Sequence, residues 1–313
     1  MNNLDSGNSS ILLIVFNRID KVKKVLPAIK AYAPKKLYVA ADGPRPTNET
    51  DSVLTEEVRN YILKEVDWDC EIITKFSDKN LGCKYGPLSA INWFFENEEQ
   101  GIILEDDILP TPSFFRFCDY FLKHYQNKND VFSITGINLN EKLAVKNEDY
   151  FYAGYSFTWG WATWKSRWEK YKEVLKDFNS TDPLSYISSG HKWDKASVIG
   201  LHNKVAQSLN DEIDAWDFPW AFTQFINKGY SIVPSKNLVK NIGFDAEGTH
   251  THSPPHYLNN KVSEIKFPLK VNETIINNTK YDMFICKEIF NWKSLTEKIT
   301  DINHYKNYLK SKF

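Results

Sequence analysis

The opening third of the chain alternates short apolar runs with segments of helical periodicity, and this alternation constrains the fold more than anything else in the sequence. Residues 11–16 read as a buried strand. Residues 21–32 follow, with Val22, Val25, Leu26 and Ile29 at helical spacing. Residues 36–41 form a second strand-like run, stopped by the turn signal Asp42-Gly43-Pro44. Residues 55–66 are amphipathic, with Val58, Ile62, Leu63 and Val66 on one face and a cap at Ser52 or Thr55. A third strand is expected over 70–75, a helix over 87–97 after the break Asn80-Leu81-Gly82, and a fourth strand over 102–105. Such β-α-β-α order implies an α/β fold, with a mostly parallel sheet flanked by helices on both faces.

Further along the pattern loosens. A helix is expected over 113–126 with Phe114, Phe117, Tyr120 and Phe121, a strand over 131–136, a helix over 217–228 and a strand over 230–234. Residues 150–171 are dense in aromatics, 250–268 form a loop with Pro and His, and the tail from Asp282 onward reads as helical. With 42% hydrophobic residues, the 313-residue chain has ample material for a core. Residues 1–10 read as a loose polar tail, 11–253 as the α/β domain, and 254–313 as a less regular loop and helical extension packed on the same domain.

Several function classes are disfavoured. The 39 basic and 40 acidic residues balance, so there is no electrostatic case for binding nucleic acid. Cys70, Cys83, Cys118 and Cys286 are far apart, a poor spacing for zinc or a disulfide framework. Reduced thiols and a cytoplasmic location are the expectation. The longest clean apolar run, residues 11–16, is far short of the about 20 residues of a spanning helix, and residues 1–10 lack signal-peptide order. Lysines among aromatics over 293–312 suit peripheral attachment to the inner face of a membrane.

The chemistry concentrates where the fourth strand ends. Ile102-Ile103-Leu104 runs into Glu105-Asp106-Asp107, and Pro110 and Pro112 then bar a longer central strand. Acids at the carboxyl end of a buried strand sit where open α/β sheets bind ligands. Their repulsion would be relieved by Mg²⁺ or Mn²⁺ bridging Asp107 to the phosphates of a substrate. The alternative is a solvated acidic turn. A parallel sheet would bring Asn17-Arg18, Asp42-Gly43 and residues 78–84 to the same edge. There Arg18 or Lys84 could meet phosphate, and Asp42 could accept a hydrogen bond from a base or ribose. Arg18 and Asp42 could equally form an ordinary surface pair. No Gly-x-x-x-x-Gly-Lys-Ser/Thr loop and no Gly-x-Gly-x-x-Gly after the first strand is present, which argues against a P-loop NTPase and a dinucleotide site.

Asn17-Arg18 after strand one, Asp42 after strand two, and Glu105-Asp106-Asp107 followed by Ile-Leu-Pro-Thr-Pro-Ser-Phe-Phe resemble the GT-A glycosyltransferases. Within that group the likeness is to the N-acetylglucosaminyltransferase I type and its bacterial sugar transferase relatives, over residues 11–252 in segment order. The resemblance implies a Rossmann-like GT-A domain. It implies that Asp107 binds the metal, that Glu105 and Asp106 contact ribose or sugar hydroxyls, that Arg18, next to Asn17, contacts the nucleotide diphosphate, and that Asp42 reads uracil. Gly160-Trp161 matches a donor and acceptor loop. A late histidine, His252 or His250, would complete the metal or phosphate site. The catalytic aspartate maps to Asp217 in Trp216-Asp217-Phe218-Pro219-Trp220. The family places two adjacent acids there and this chain has one, which leaves Asp214 and Glu212 as less favoured substitutes.

Read from the residues alone, Asp217 among aromatics is partly desolvated, which raises a carboxylate toward useful base strength. The competing role is a helix cap. Trp159 and Trp161, beside Gly160, suit stacking on a sugar ring, whereas Trp164 and Trp168, four apart on an expected helix, suit a core wedge. Lys261, Lys266 and Lys270 lie on a loop that either closes over phosphate or is solvated. The leading expectation is a metal-dependent inverting glycosyltransferase. Its donor would be a nucleotide-diphosphate sugar, with uridine first among nucleotides. Its acceptor would be a glycan or glycolipid hydroxyl, and the bacterial relatives point to surface polysaccharide synthesis. The rivals are a sugar nucleotidyltransferase, disfavoured because Asn17-Arg18-Ile19-Asp20 has no glycine, and a non-catalytic carbohydrate-binding protein.

Overall fold

A computed structural model describes residues 8–155, 157–188, 190–244, 261–270 and 274–290. Its frame is an eight-stranded sheet in the order β3-β2-β1-β4-β8-β6-β9-β7. The first four of these strands are β1 (Ile11–Val15), β2 (Lys36–Ala41), β3 (Glu71–Phe76) and β4 (Gln100–Glu105). They are mutually parallel. Helices α1 (Ile19–Tyr32), α2 (Asp51–Glu65) and α3 (Gly82–Asn97) make the crossovers. The mostly parallel sheet flanked by helices is the α/β architecture expected from the alternation.

Period-two alternation explains why these strands are apolar throughout. Ile11, Leu13 and Val15 enter the larger core on one face, with Leu37, Val39, Ile102 and Leu104. Leu12, Tyr38, Ala40 and Ile103 point the other way, into a second core with Phe94, Trp161, Trp168, Trp216 and Trp220. Both faces are covered, so neither can be polar.

The other half of the sheet contains β6 (Val131–Thr135), β7 (Tyr150–Ala153), β8 (Trp161–Trp164) and β9 (Tyr230–Pro234). Strand β8 inserts antiparallel between β4 and β6, and β7 is antiparallel to β9. A separate two-stranded ladder pairs β5 (Ile108–Pro110) with β10 (Val239–Asn241). Helices α4 (Pro112–His124), α5 (Lys165–Lys176), α6 (Lys195–Leu209) and α7 (Asp217–Ile226) complete the layers, and α8 (Thr279–Phe290) adds Tyr281, Ile285 and Cys286 to the larger core. Helix α4 shows why its sequence is helical: Phe114, Phe117, Phe121 and Leu122 all lie on the buried side.

Several expectations are corrected. Trp164 ends β8 instead of sharing a helix with Trp168, although both side chains are buried. The aromatic stretch contains two strands, which its mixed pattern did not disclose. Helix α2 begins at Asp51, not near Thr55, and α3 begins at Gly82, five residues before the expected start at 87. Residues 9 and 10 of the expected loose tail are tied down: the Ser9 amide donates to Asp119 at 3.2 Å, and the Ser10 carbonyl accepts from Ile102 at 3.0 Å. No helix among the described residues is long and apolar enough to cross a membrane. None of the four cysteines forms a disulfide.

Candidate active site

In the order 3-2-1-4 the strand sequence reverses between β1 and β4. Open α/β sheets bind ligands outside the carboxyl ends of the strands at such a switch point. A cavity of about 750 Å³ opens there. Asn17, Arg18, Asp42, Glu105, Asp106, Asp107 and Asp217 all line it. The strand ends deliver most of these groups, and the first turn of α7 delivers Asp217.

Arg18 follows β1 and reaches across to the end of β4. Its guanidinium bonds the Asp106 carboxylate and, at 3.0 Å, Asp107. Burial opposes the charge of Arg18, but the two carboxylates hold its pKa above the ordinary value. Asp106 is 2% exposed and also accepts from the Phe16 amide at 3.4 Å. Burial pushes its pKa up to about 6, with Arg18 opposing. Glu105 is pushed up to about 8, by burial first and then by Asp107 and Asp106. One arginine therefore does not neutralise the triplet. Asp107 opens onto the cavity, and the β5–β10 ladder fixes its backbone, whose carbonyl accepts from Ile242 at 2.8 Å. A Cβ at Gly243 would collide with the Asp107 carboxylate, so only glycine allows this approach.

The sign of the cavity decides what it can take. Its wall carries seven carboxylates, from Asp42, Asp51, Glu105, Asp106, Asp107, Asp214 and Asp217, against three cations, from Arg18, Arg45 and Lys75. Even with Glu105 largely protonated near neutral pH, an anionic ligand entering alone would meet more carboxylates than cations. Among the described residues no group of three His, Cys, Asp or Glu forms a ready-made metal cage. Mg²⁺ and Mn²⁺ do not need one, since they are commonly held by one or two carboxylates together with substrate phosphates. Asp107 on the wall fits that donor set.

Asp42 has a different occupation from the one expected. Its carboxylate accepts from the amides of Gly43 at 2.8 Å, Leu81 at 2.8 Å and Gly82 at 3.0 Å, and from the Asn80 side chain at 3.1 Å. Burial raises its pKa while these amides pull it down. Few lone pairs are left to read a base. Asp42 is a bracket that caps α3 from the end of β2.

No protein-family model and no curated protein matches the chain. Among solved structures it is similar to the mannosyltransferase PcManGT from Pyrobaculum calidifontis in complex with GDP-Man and Mn²⁺, over 70% of each chain, at 11% identity and a TM-score of 0.39. It is also similar to the inositol-1-phosphate CTP transferase from T. maritima, over 56% of this chain and 77% of that one, at 10% identity and a TM-score of 0.34. The UTP-bound UGPase from Acinetobacter baumannii is matched over 55% of this chain and 78% of its own, at 9% identity and a TM-score of 0.32. Likenesses this distant leave the activity to be argued from the cavity itself.

Three expected contacts lie elsewhere. Trp161 is fully buried and packs between Trp216 at 5.8 Å and Trp220 at 5.6 Å, so it cannot stack on a sugar. Gly160 has φ +63° and no room for a Cβ beside Val239, which makes it a turn requirement. Lys84 is 6% exposed and turned away from the cavity, toward the carbonyl of Ser208 and the carboxylate of Asp211. Trp159 does line the cavity, packed edge-on against Phe244 at 5.7 Å. Lys261, Lys266 and Lys270 are exposed and away from it. His250 and His252 lie outside the described residues.

Asp217 is the first helical residue of α7, with Trp216 at the cap position. Asp214 also lines the cavity, but its carboxylate accepts the Cys83 amide at 3.0 Å and so caps α3. Glu212 is exposed and outside the cavity wall. Sequence reading missed Arg45 and Asp51. Asp51 is fully buried and holds Arg45 through Nε at 2.6 Å, with Asn17 donating at 2.8 Å. Arg45 also lies over the Phe16 ring at 5.3 Å. Asp42-Gly43-Pro44-Arg45 was the available signal: a cation just past a strand end that forms one edge of the crevice.

Proposed function

We propose that this chain is a metal-dependent glycosyltransferase that uses a nucleotide-diphosphate sugar, with uridine diphosphate as the carrier. One observation carries the proposal: the switch-point cavity is lined both by Asp107 with its acidic neighbours and by an aromatic-flanked carboxylate, Asp217. Diphosphate belongs near Asp107 and Arg18, and a hydroxyl acceptor near Asp217. When bound, a divalent cation held by Asp107 supplies Lewis-acid stabilisation of the departing diphosphate.

The remaining chemistry falls to the chain's own groups. Asp217 takes the proton of the acceptor hydroxyl as its oxygen bonds to the anomeric carbon. The bond from that carbon to the diphosphate oxygen breaks, and its electron pair leaves with the nucleotide. A single carboxylate acting on the acceptor gives inversion. Trp216 and the half-buried Phe218 flank Asp217 and limit competing water at the reacting oxygen. Trp159 offers a flat apolar face for a sugar.

Calorimetry with uridine diphosphate, with and without Mn²⁺, tests the donor site, and the anomeric configuration of the product tests inversion. Tight binding only with the metal, and release of uridine diphosphate on adding a sugar acceptor, are expected. Release of pyrophosphate from uridine triphosphate and a sugar 1-phosphate would instead establish a nucleotidyltransferase. Sugar binding with no turnover of any nucleotide sugar would establish a binding protein.

A further inference from the structure

The loop between α6 and α7, residues 210–216, carries the chain into Asp217. It is fastened to the first turn of α3 at three consecutive residues, Cys83, Lys84 and Tyr85. The Cys83 amide bonds Asp214 at 3.0 Å. The Lys84 ammonium bonds the Ser208 carbonyl and, at 2.6 Å, the Asp211 carboxylate. Tyr85 adds its hydroxyl to the same Asp211 oxygen at 2.7 Å. The Ser208 hydroxyl then donates to the Ala215 carbonyl at 2.6 Å, two residues before Asp217. Asp211 sits at φ +57° just past the end of α6 in a Schellman turn, its amide on the Ser208 carbonyl at 3.2 Å and the Glu212 amide on the Gln207 carbonyl at 2.9 Å.

Lys84 is too buried to meet a ligand in the cavity, and its charge is committed to this loop. We infer that Lys84 is a positioning residue, clasping the α6–α7 loop through Asp211 and Ser208 so that Asp217 is presented at a fixed place on the cavity wall. The inference rests on the assignment of Asp217 as the base. The same turn of α3 is capped by Asp42, so the clasp also ties the α6–α7 loop to the end of β2. A loosened loop leaves the strand ends intact and misplaces the carboxylate, and a displacement of about 1 Å in a catalytic group can cost on the order of 100-fold in rate.

The test compares Lys84→Met, Asp211→Asn and Lys84→Arg with the parent chain. Asp211 is largely exposed, so its variant removes the partner's charge without opening the core. Hydrogen exchange of the amides of residues 210–217 should speed up in Lys84→Met and Asp211→Asn, and Lys84→Arg should restore protection. In transfer assays kcat should fall by roughly 10- to 100-fold, while the donor KM changes by less than about twofold. A loss confined to donor KM would mean that Lys84 serves the nucleotide, and would overturn the inference. Unchanged exchange over 210–217 would overturn it whatever the activity. Faster exchange with unchanged kcat would also overturn it, by showing that the clasp does not position the base. If the parent turns over no nucleotide sugar, the transferase assignment fails, and exchange alone still decides whether Lys84 fastens the loop.

Discussion

The two halves of the sheet are built from different materials. The β3-β2-β1-β4 half is parallel and aliphatic within, and its strand ends carry the charged groups of the cavity. The β8-β6-β9-β7 half is mixed in direction and aromatic, and around Trp161, Trp168, Trp216 and Trp220 it makes a wedge of indoles 5.3 to 6.3 Å apart. The first half places the polar groups of the cavity by topology, since parallel strands must end together. The second half contributes Asp217 to the cavity, together with Asp214 and Trp159, and places Asp217 by packing. A charge at a strand end that braces no backbone amide can change with little cost to the fold. A side chain inside the wedge cannot.

Substitutions in each half should separate binding from folding. The largest effect is expected from Asp107→Ala in the parallel half: transfer and metal-dependent nucleotide binding should both disappear while circular dichroism stays native. Full activity in the presence of a chelator would remove the metal from the mechanism.

Asp217→Asn should come next. Loss of a general base typically costs about 10²–10⁴-fold, so kcat should fall by that much while calorimetry finds donor affinity unchanged. A variant keeping more than about a third of the parental rate would reduce Asp217 to structure at the start of α7.

Within the wedge, Trp220→Ala should cost about 3–5 kcal/mol of stability, read by denaturant unfolding. If it instead weakened nucleotide binding with stability unchanged, the division between the halves would be wrong.

Asp42→Ala tests the strand ends more gently. Removing the bracket strands the amides of Leu81 and Gly82, with an expected loss of about 1–3 kcal/mol. A loss of uridine selectivity with stability intact would restore its expected role as a base reader.

The smallest effect concerns pH. Asp282 on α8 is buried and accepts from the Gly154 amide at 2.8 Å and the Trp193 indole at 3.1 Å. Burial raises its pKa from an ordinary 3.8 to about 6. The folded state therefore binds more protons than the unfolded state between these values, so this group's contribution to stability falls as pH rises from 3.8 through 6 and is flat above. Lowering pH from about 7 to about 5 should stabilise the parent relative to Asp282→Asn in thermal melts. Parallel pH profiles for the two proteins would refute this.

The sequence by itself determined the strands of the parallel half and the acids at the end of β4. Strand, helix and turn signals there are local, and the acids of β4 lie at the end of the apolar run that buries it. The start of α3 was not legible, because its cap comes from Asp42 and Asp214, 40 and 131 residues from the amides they accept. The fate of Trp161 depended on Trp216 and Trp220, which a linear reading treats as neighbours of Asp217 instead of walls of a core. Lys84 looked like a phosphate ligand because its partners, Ser208 and Asp211, lie more than 120 residues further along the chain. Local pattern reports what a segment can form and which end of it is polar. Which polar groups face the cavity is decided by long-range hydrogen bonds, because a buried carboxylate or ammonium goes to whichever partner the fold brings within reach.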